Sequence, residues 1–248
     1  MPDGADEQRP PARQPFARGM RLAFSTPGLI LFASSAGFGA LARDSGMTVG
    51  GAIFMMGVLF ALPAQVVMLD TMARGGSLLA GAIAVGFTGV RLLPMALAIM
   101  PWLKDRQSPD WYRIVAVHFV AITAWLEGMK ALPKIPENQR MMMFLGIGTG
   151  MFLTALTGTA FGFALAAAVP PALAAMLLFL TPIYFFLSLM AVADLPMDWL
   201  AIVLGAVLGP AFYFILPGAD LVLTGLIGGT AAYVYGKKID VIEREEED

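Results

Sequence analysis

The apolar residues of this chain are grouped in blocks, and the length of the blocks decides its fold class. Each block holds about 20 residues, the number a helix needs to cross about 30 Å of hydrocarbon. Of the 248 residues, 58% are hydrophobic and only 14% are charged, whereas a soluble domain has about 25% charged residues. The sequence therefore predicts an all-α, polytopic helical membrane protein that is embedded in a lipid bilayer.

Eight blocks are candidate spans, and they lie at residues 20–42, 50–69, 77–100, 112–129, 140–167, 172–193, 199–216 and 221–235. The last two are short and are joined by a segment that contains Pro217 and Gly218, so they can also form one re-entrant pair. Seven and eight transmembrane helices both remain open. The chain then divides into a disordered N-terminal segment at 1–19, a transmembrane transporter domain at 20–236 and a charged tail at 237–248.

The basic residues set the orientation, since cytoplasmic loops carry an excess of Lys and Arg. With eight spans and a cytoplasmic N-terminus, 11 of the 16 basic residues fall on the inside, four fall outside, and Arg91 is left within the membrane. This bias places both termini in the cytoplasm. The sequence predicts a multi-pass protein of a bacterial-type inner membrane.

Composition excludes several classes of function. The chain has no cysteine, one histidine and a net charge of −2. A zinc site needs several Cys or His ligands, and a nucleic-acid partner is favoured by a basic surface. We therefore expect no metal, no cofactor and no nucleic-acid partner. An intramembrane enzyme would need clustered acids, histidines or a nucleophile, so we expect no catalytic residues.

Arg91 is the most informative single residue, because it is the only charged residue between Ser77 and Met100. A guanidinium at this depth costs at least about 3 kcal/mol, so it normally faces a cavity or a partner. Gly86, Gly89 and Pro94 surround it and weaken the helix. A cation on a breakable helix is a common transporter site for an anionic group. A structural ion pair, or an arginine that reaches the nearer surface, is the alternative interpretation.

Prolines also interrupt other predicted spans, at Pro27, Pro63, Pro182 and Pro210. Each removes a backbone donor, and in lipid the freed carbonyls need partners from neighbouring helices, hydroxyl groups or cavity water. Interruptions in five spans favour a moving or substrate-binding bundle over a static one.

Several uncharged polar residues are candidates for substrate binding beside Arg91. They are Gln65, two positions after Pro63, Thr88, on the same helix face as Arg91, and Thr123 in the fourth predicted span. Two acids, Glu127 and Asp70, can carry a coupling proton or bind an ammonium group. Both also lie near the predicted cytoplasmic surface, where a solvated carboxylate without a role is the alternative.

Small residues recur every four positions in the fifth span, at Gly146, Gly150, Thr154, Gly158 and Gly162. This spacing keeps them on one ridge of a helix, where another backbone can approach closely. The pattern predicts tight helix packing. It leaves open whether the ridge meets this chain or a separate subunit.

These residues resemble a known family. The run at 38–43 (Phe-Gly-Ala-Leu-Ala-Arg), then Gly46, the stretch 61–65 that ends in Gln65, and Arg91 are similar to the azaleucine-resistance (AzlC-type) permeases. The resemblance covers residues 26–103 well. It implies a large subunit for branched-chain amino-acid export that works with a small multi-span AzlD-type partner. Gly89 and Leu92 flank the arginine where the family usually has polar residues, which marks a divergent member.

The leading hypothesis is a secondary transporter that exports small apolar, branched-chain type amino acids. Arg91 would hold the substrate carboxylate, and apolar side chains would accept the rest of the molecule. The alternative hypothesis is a membrane scaffold subunit without transport, which would pack against another membrane protein through the ridge at 146–162.

Overall fold

The computed structural model describes residues 13–90, 92–104, 109–168, 170–191, 193, 195–215 and 220–247. Within these ranges the chain is helical and contains no strand, so the all-α prediction is confirmed. The helices are α1 Arg13–Arg21, α2 Thr26–Asp44, α3 Val49–Val58, α4 Leu62–Ala73, α5 Leu78–Gly89, α6 Leu92–Ile99, α7 Asp110–His118, α8 Ile122–Ala131, α9 Glu137–Leu165, α10 Pro171–Met190, α11 Pro196–Ile215 and α12 Asp220–Glu247.

Helix α9 is the axis of the bundle. Helices α1 and α2 meet at a bend of 58° and both pack along α9. Helix α2 also packs against α10, while α11 and α12 pack on each other. Small residues make the central contact close, because a Cβ added at Gly39 would collide with the backbone of Thr159.

The structure differs from the predicted disordered segment over residues 13–19. These residues form most of α1, and they are helical because they pack on α9. Phe16 meets Gly146 closely, and Gly19 meets the backbone of Met143. The N-terminal segment is polar and rich in arginine, so its sequence alone does not indicate a helix. The surface of α9 that it packs on lies more than a hundred residues away in the sequence.

Three predicted spans are each divided into two shorter helices. The break between α3 and α4 covers residues 59–61, the break between α7 and α8 covers residues 119–121, and α5 and α6 meet at an angle of 44°. Pro63 in the first turn of α4 and Gly89 at the end of α5 explain two of these breaks. The break between α7 and α8 contains neither proline nor glycine.

The other predicted interruptions have two outcomes. Pro27 lies in the first turn of α2, where the missing N–H has no helical partner in any case. Pro182 and Pro210 lie inside α10 and α11, which continue through them. Proline therefore marks a helix start at some positions of this chain and leaves the helix unbroken at others.

The predicted total of seven or eight spans is not confirmed. Within the described ranges, three helices (α9, α10 and α11) are long and apolar enough to cross a membrane. The total rises to five if the bent pairs α1–α2 and α5–α6 each form one span. Large apolar side chains such as Phe54, Leu97 and Val207 are exposed on the outside of the helices, which suits contact with lipid.

Arg43 closes the end of α9. Its Nη1 donates to the carbonyl oxygens of Phe163 at 3.0 Å and Ala164 at 3.3 Å, and its guanidinium lies 5.7 Å from the centre of the Phe163 ring. The last carbonyls of a helix have no partner within the helix, and a cation there also opposes the helix dipole. Arg43 therefore joins the end of α2 to the end of α9.

We expect Arg43→Met to lower the free energy of unfolding by about 1 kcal/mol, because two hydrogen bonds from a charged donor are lost at an exposed position. The matched control is Arg74→Met, which breaks an exposed ion pair with Asp70 worth about 0.5 kcal/mol or less. Thermal unfolding in detergent compares the two variants. Equal midpoints for both would show that the Arg43 bonds add nothing.

Candidate functional site

A cavity of about 650 Å³ lies where the broken helices meet. Its wall comes from α2, α3, α4, α6, α8, α9 and α10 and from the breaks at 59–61 and 119–121. Most of the lining is apolar and includes Leu31, Met56 and Phe185. The broken spans thus border a partly open space that is large enough for a small ligand with an apolar body.

The N-termini of α4 and α8 reach this cavity, as does Leu92 at the start of α6. Ala61 precedes α4 and Ala121 precedes α8, both have extended backbones, and both line the cavity. Neither alanine offers a side-chain cap. By contrast, Thr48 and Ser77 cap α3 and α5 with side-chain oxygens that accept backbone N–H groups. Among the described residues no side chain caps the start of α4 or α8, and uncapped N–H groups at a helix start attract anionic groups.

Two hydroxyl-bearing residues line the cavity, Thr123 on α8 and Thr181 on α10. Both residues are buried, at 4% and 8% exposure. The Thr181 hydroxyl has no hydrogen-bond partner among the described residues, and the Thr181 backbone N–H donates to Ser34 Oγ at 3.0 Å. Sequence reasoning proposed Thr123 and missed Thr181. The signal that could have found it is a polar residue directly before the intraspan Pro182.

Gln65 and Thr88 are buried but are not part of the cavity wall. Gln65 Nε2 donates to the sulfur of Met56 at 3.2 Å, and its Oε1 has no partner in the described part of the chain. Thr88 donates its hydroxyl to the Ala84 carbonyl at 2.9 Å, within its own helix. Gln65 therefore lies behind a cavity residue, whereas Thr88 is satisfied locally.

Arg91 lies outside the described residues, so its predicted contact with substrate stays a prediction. Its neighbour in the sequence, Leu92, begins α6 and lines the cavity.

The two candidate coupling acids have different surroundings. The Glu127 side chain is 13% exposed, accepts a hydrogen bond from the Tyr184 hydroxyl at 3.3 Å and pairs with Lys130 at 3.4 Å. The Asp70 side chain is 57% exposed and pairs with Arg74 at 2.8 Å. Glu127 thus links α8 to α10 one turn from Thr123, while Asp70 is in a solvated pair at the end of α4.

The small-residue ridge of α9 faces helices of this same chain. Cβ atoms added along it would collide with α1 and α2, through the pairs Gly146–Phe16, Gly150–Met20, Gly158–Phe32 and Gly162–Ala36. Thr154 donates its hydroxyl to the Gly150 carbonyl at 2.9 Å. Because α1 and α2 occupy the ridge, these contacts give no support to a scaffold that uses it to hold another protein.

A second cavity of about 390 Å³ adjoins the break at 59–61 and is lined also by residues of α6 and α7. Phe60, Ala61 and Leu92 line both cavities, so these residues separate them. Phe60 packs edge-on against Phe152 at 5.3 Å between ring centres, and His118 packs against the same ring at 5.7 Å. An apolar barrier thus divides two spaces in the bundle.

Apolar helices that are broken beside a cavity are a common feature of helical membrane transporters. The family model for AzlC, described as AzlC protein, matches residues 28–169. The match covers more than half of the chain, so the chain belongs to the AzlC family, and the predicted resemblance is confirmed. The family is of the transporter type, not an enzyme family. Comparison with curated proteins and with solved structures found no match.

Proposed function

We propose that this chain is a secondary transporter that exports small apolar, branched-chain type amino acids across the inner membrane. The cavity between the broken helices carries the proposal. Its volume of about 650 Å³ lies within the range of about 300–1,000 Å³ that small-ligand sites occupy. An apolar wall with few polar groups suits a ligand that has one polar end and a hydrocarbon side chain.

The polar end of the substrate would lie at the helix breaks. Thr123 and the uncapped starts of α4 and α8 are the polar groups at that end of the cavity. Arg91 is proposed to pair with the substrate carboxylate, since a guanidinium binds both oxygens of such a group at once. Gln65 would orient this end from behind Met56, and Thr88 would support the helix before Arg91.

An ion or proton gradient would supply the energy, because the sequence lacks the Gly-rich Lys-Ser/Thr loop that holds ATP phosphates. Of the two acids, Glu127 is the stronger coupling candidate. Its carboxylate is mostly buried and bridges two helices of the cavity, whereas Asp70 is exposed and paired with Arg74. A coupling proton on Glu127 would neutralise its pair with Lys130 and weaken the bond that it accepts from Tyr184.

A partner and an orientation complete the proposal. A small multi-span AzlD-type subunit would assemble with this chain, and the bias of basic residues supports a cytoplasmic N-terminus. Co-purification with a short multi-span protein encoded beside this chain tests the partner.

Flux of labelled leucine, isoleucine and valine in proteoliposomes tests the transport proposal. We expect Arg91→Ala to reduce flux by about tenfold or more, because the substrate carboxylate would lose a hydrogen bond from a charged donor. Arg91→Lys should retain an intermediate rate, because an ammonium cannot reproduce the planar fork of a guanidinium. Arg74→Ala, at an exposed pair, is the control. Parent-like flux in both Arg91 variants contradicts the carboxylate role.

A further inference from the structure

We propose that α3–α4 and α7–α8 are two re-entrant hairpins, which enter the bundle from opposite ends, and that the substrate crosses the membrane between their tips. The tips are the breaks at 59–61 and 119–121. The hairpins follow from contacts along α9, and only the path of the substrate rests on the proposed function. Helix α9 gives the height of each contact, because its residues rise by about 1.5 Å each.

Both tips lie at the middle of α9, on Phe152. The ring of Phe60, from the first break, is 5.3 Å from the Phe152 ring, and the ring of Phe119, from the second break, is 5.7 Å from it. Ala61 and Ala121 of the same breaks line the large cavity. Non-helical backbone at membrane depth is tolerated where it lines a cavity or is buried in protein, so the two tips meet at a suitable place.

The pair α7–α8 starts and finishes at the beginning of α9. The turn Met100–Leu103 before α7 packs on α9, and the centre of its Trp102 ring lies 5.0 Å from the Arg140 guanidinium carbon. After α8, the carbonyls of Leu132 and Ile135 accept from Nε of the same arginine at 3.0 and 3.1 Å. The chain thus leaves the start of α9, reaches the middle of α9 at the tip and returns to the start.

The length of the chain excludes a straight passage through α7 and α8. Phe152 lies about 18 Å along α9 from Arg140, and a straight continuation of α8 into α7 would place Asp110 about 12 Å beyond Phe152. The seven residues from Leu103 to Asp110 span at most about 25 Å, which is less than the total of about 30 Å. Helix α7 therefore runs towards the tip, and α8 runs back from it.

The pair α3–α4 enters from the other end of α9. Helix α3 follows Arg43, which bonds to the last carbonyls of α9. It reaches the middle of α9 at Gly57, where an added Cβ would lie 3.9 Å from the Phe152 ring. Across the break, Gln65 Nε2 donates to the Met56 sulfur at 3.2 Å. Residues nine apart in a straight helix lie on opposite faces, so this bond requires α4 to turn back beside α3.

The next two helices show where α4 ends. Helix α4 packs side by side with α5, and α5 and α6 form one line with a bend of 44°. This line reaches the start of α9 at Ile99, whose side chain meets Gly128 beside Phe144. The stretch from Leu78 to Ile99 rises about 25–30 Å with the bend. Leu78 and the end of α4 therefore lie near the far end of α9, where α3 began.

The basic residues support the two hairpins independently, since cytoplasmic loops carry an excess of Lys and Arg. Among the first 140 residues, apart from Arg91, twelve are basic, and straight spans place eight of them inside and four outside. With the two hairpins, Lys104, Arg106 and Arg113 move to the cytoplasmic side. Arg74 moves outside, and the division becomes ten against two. This assigns α3–α4 to the outer face and α7–α8 to the cytoplasmic face.

Single cysteines test the hairpins, since the chain has no cysteine of its own. Ser45→Cys and Asn138→Cys are references at the two ends of α9, Ala73→Cys and Lys104→Cys are the tests, and all four positions are exposed. A membrane-impermeant maleimide should label Ala73→Cys from the same side of the membrane as Ser45→Cys. It should label Lys104→Cys from the same side as Asn138→Cys. Straight spans predict the opposite pairing, and that result at either test position would overturn the hairpin concerned.

Cysteines at the tips test the path of the substrate. Leucine should slow the reaction of a small methanethiosulfonate reagent with Ala61→Cys and with Ala121→Cys severalfold, because both positions line the cavity. Ser45→Cys is the control and should react equally with and without leucine.

The outcomes separate the two proposals. Unchanged reaction at both tips, in a parent that transports leucine, rejects the passage of substrate between the tips. A parent that transports no leucine rejects the proposed function, while the maleimide pairing still decides the hairpins.

Discussion

Gly162→Leu is expected to prevent α2 from packing on α9 and to leave little folded protein. The position lies in the ridge of α9, and a Cβ there would overlap the carbonyl oxygen, carbonyl carbon and Cα of Ala36. These are backbone atoms, so no side chain can rotate aside to make room. Forcing extra carbons into such a contact costs about 1–3 kcal/mol or more, and a leucine adds four carbons where none fits.

Yield and elution profile on size exclusion in detergent measure this effect, together with the thermal midpoint. The matched control is Gly229→Leu in α12, where an added Cβ meets nothing within 4 Å. The control should elute and unfold like the parent. Normal elution of Gly162→Leu would mean that the close approach of α2 and α9 is not needed for folding.

The ridge also shows what sequence can and cannot predict about this fold. Spacing of four in α9 predicts close packing, because periodicity is a property of the helix itself. The spacing does not predict which helix packs on the ridge, since Gly162 meets Ala36 and Gly146 meets Phe16 across more than a hundred residues. Local sequence around Phe16 is polar and reads as a disordered end, yet the packing on α9 makes α1 a helix.

Some of the breaks in the spans can also be predicted from local sequence, and one cannot. Pro63 and Gly89 act on their own backbone, so the interruptions beside them follow from the sequence. The break at 119–121 has no such residue. It is held by a tight local bond from the Ala121 N–H to the Phe119 carbonyl at 2.8 Å and by tertiary packing, which the hydropathy of the span conceals.

The predicted site residues lie in different places relative to the cavity. Thr123 lines the cavity, while Gln65 lies behind the wall and Thr88 bonds within its own helix. Thr181 escaped notice because threonine is ordinary in membrane helices. Its hydroxyl is buried without a hydrogen-bond partner among the described residues, and this depends on tertiary packing that the local sequence does not show.

The barrier between the two cavities leads to the second large prediction. Ala61 lines both cavities, and its side chain is a single methyl group. Its backbone is extended, with φ −153° and ψ 98°, a conformation that aromatic residues adopt readily. A phenylalanine there would fit the backbone and enter open volume instead of packed core.

Ala61→Phe is therefore expected to fold normally and to reduce leucine flux in proteoliposomes to that of protein-free vesicles. The added ring would extend the barrier that Phe60 and Phe152 already form and would fill the space between the cavities. Ala206→Phe, on the exposed face of α11, adds the same ring outside the bundle and should transport like the parent. Undiminished flux in Ala61→Phe would show that the substrate does not pass Ala61.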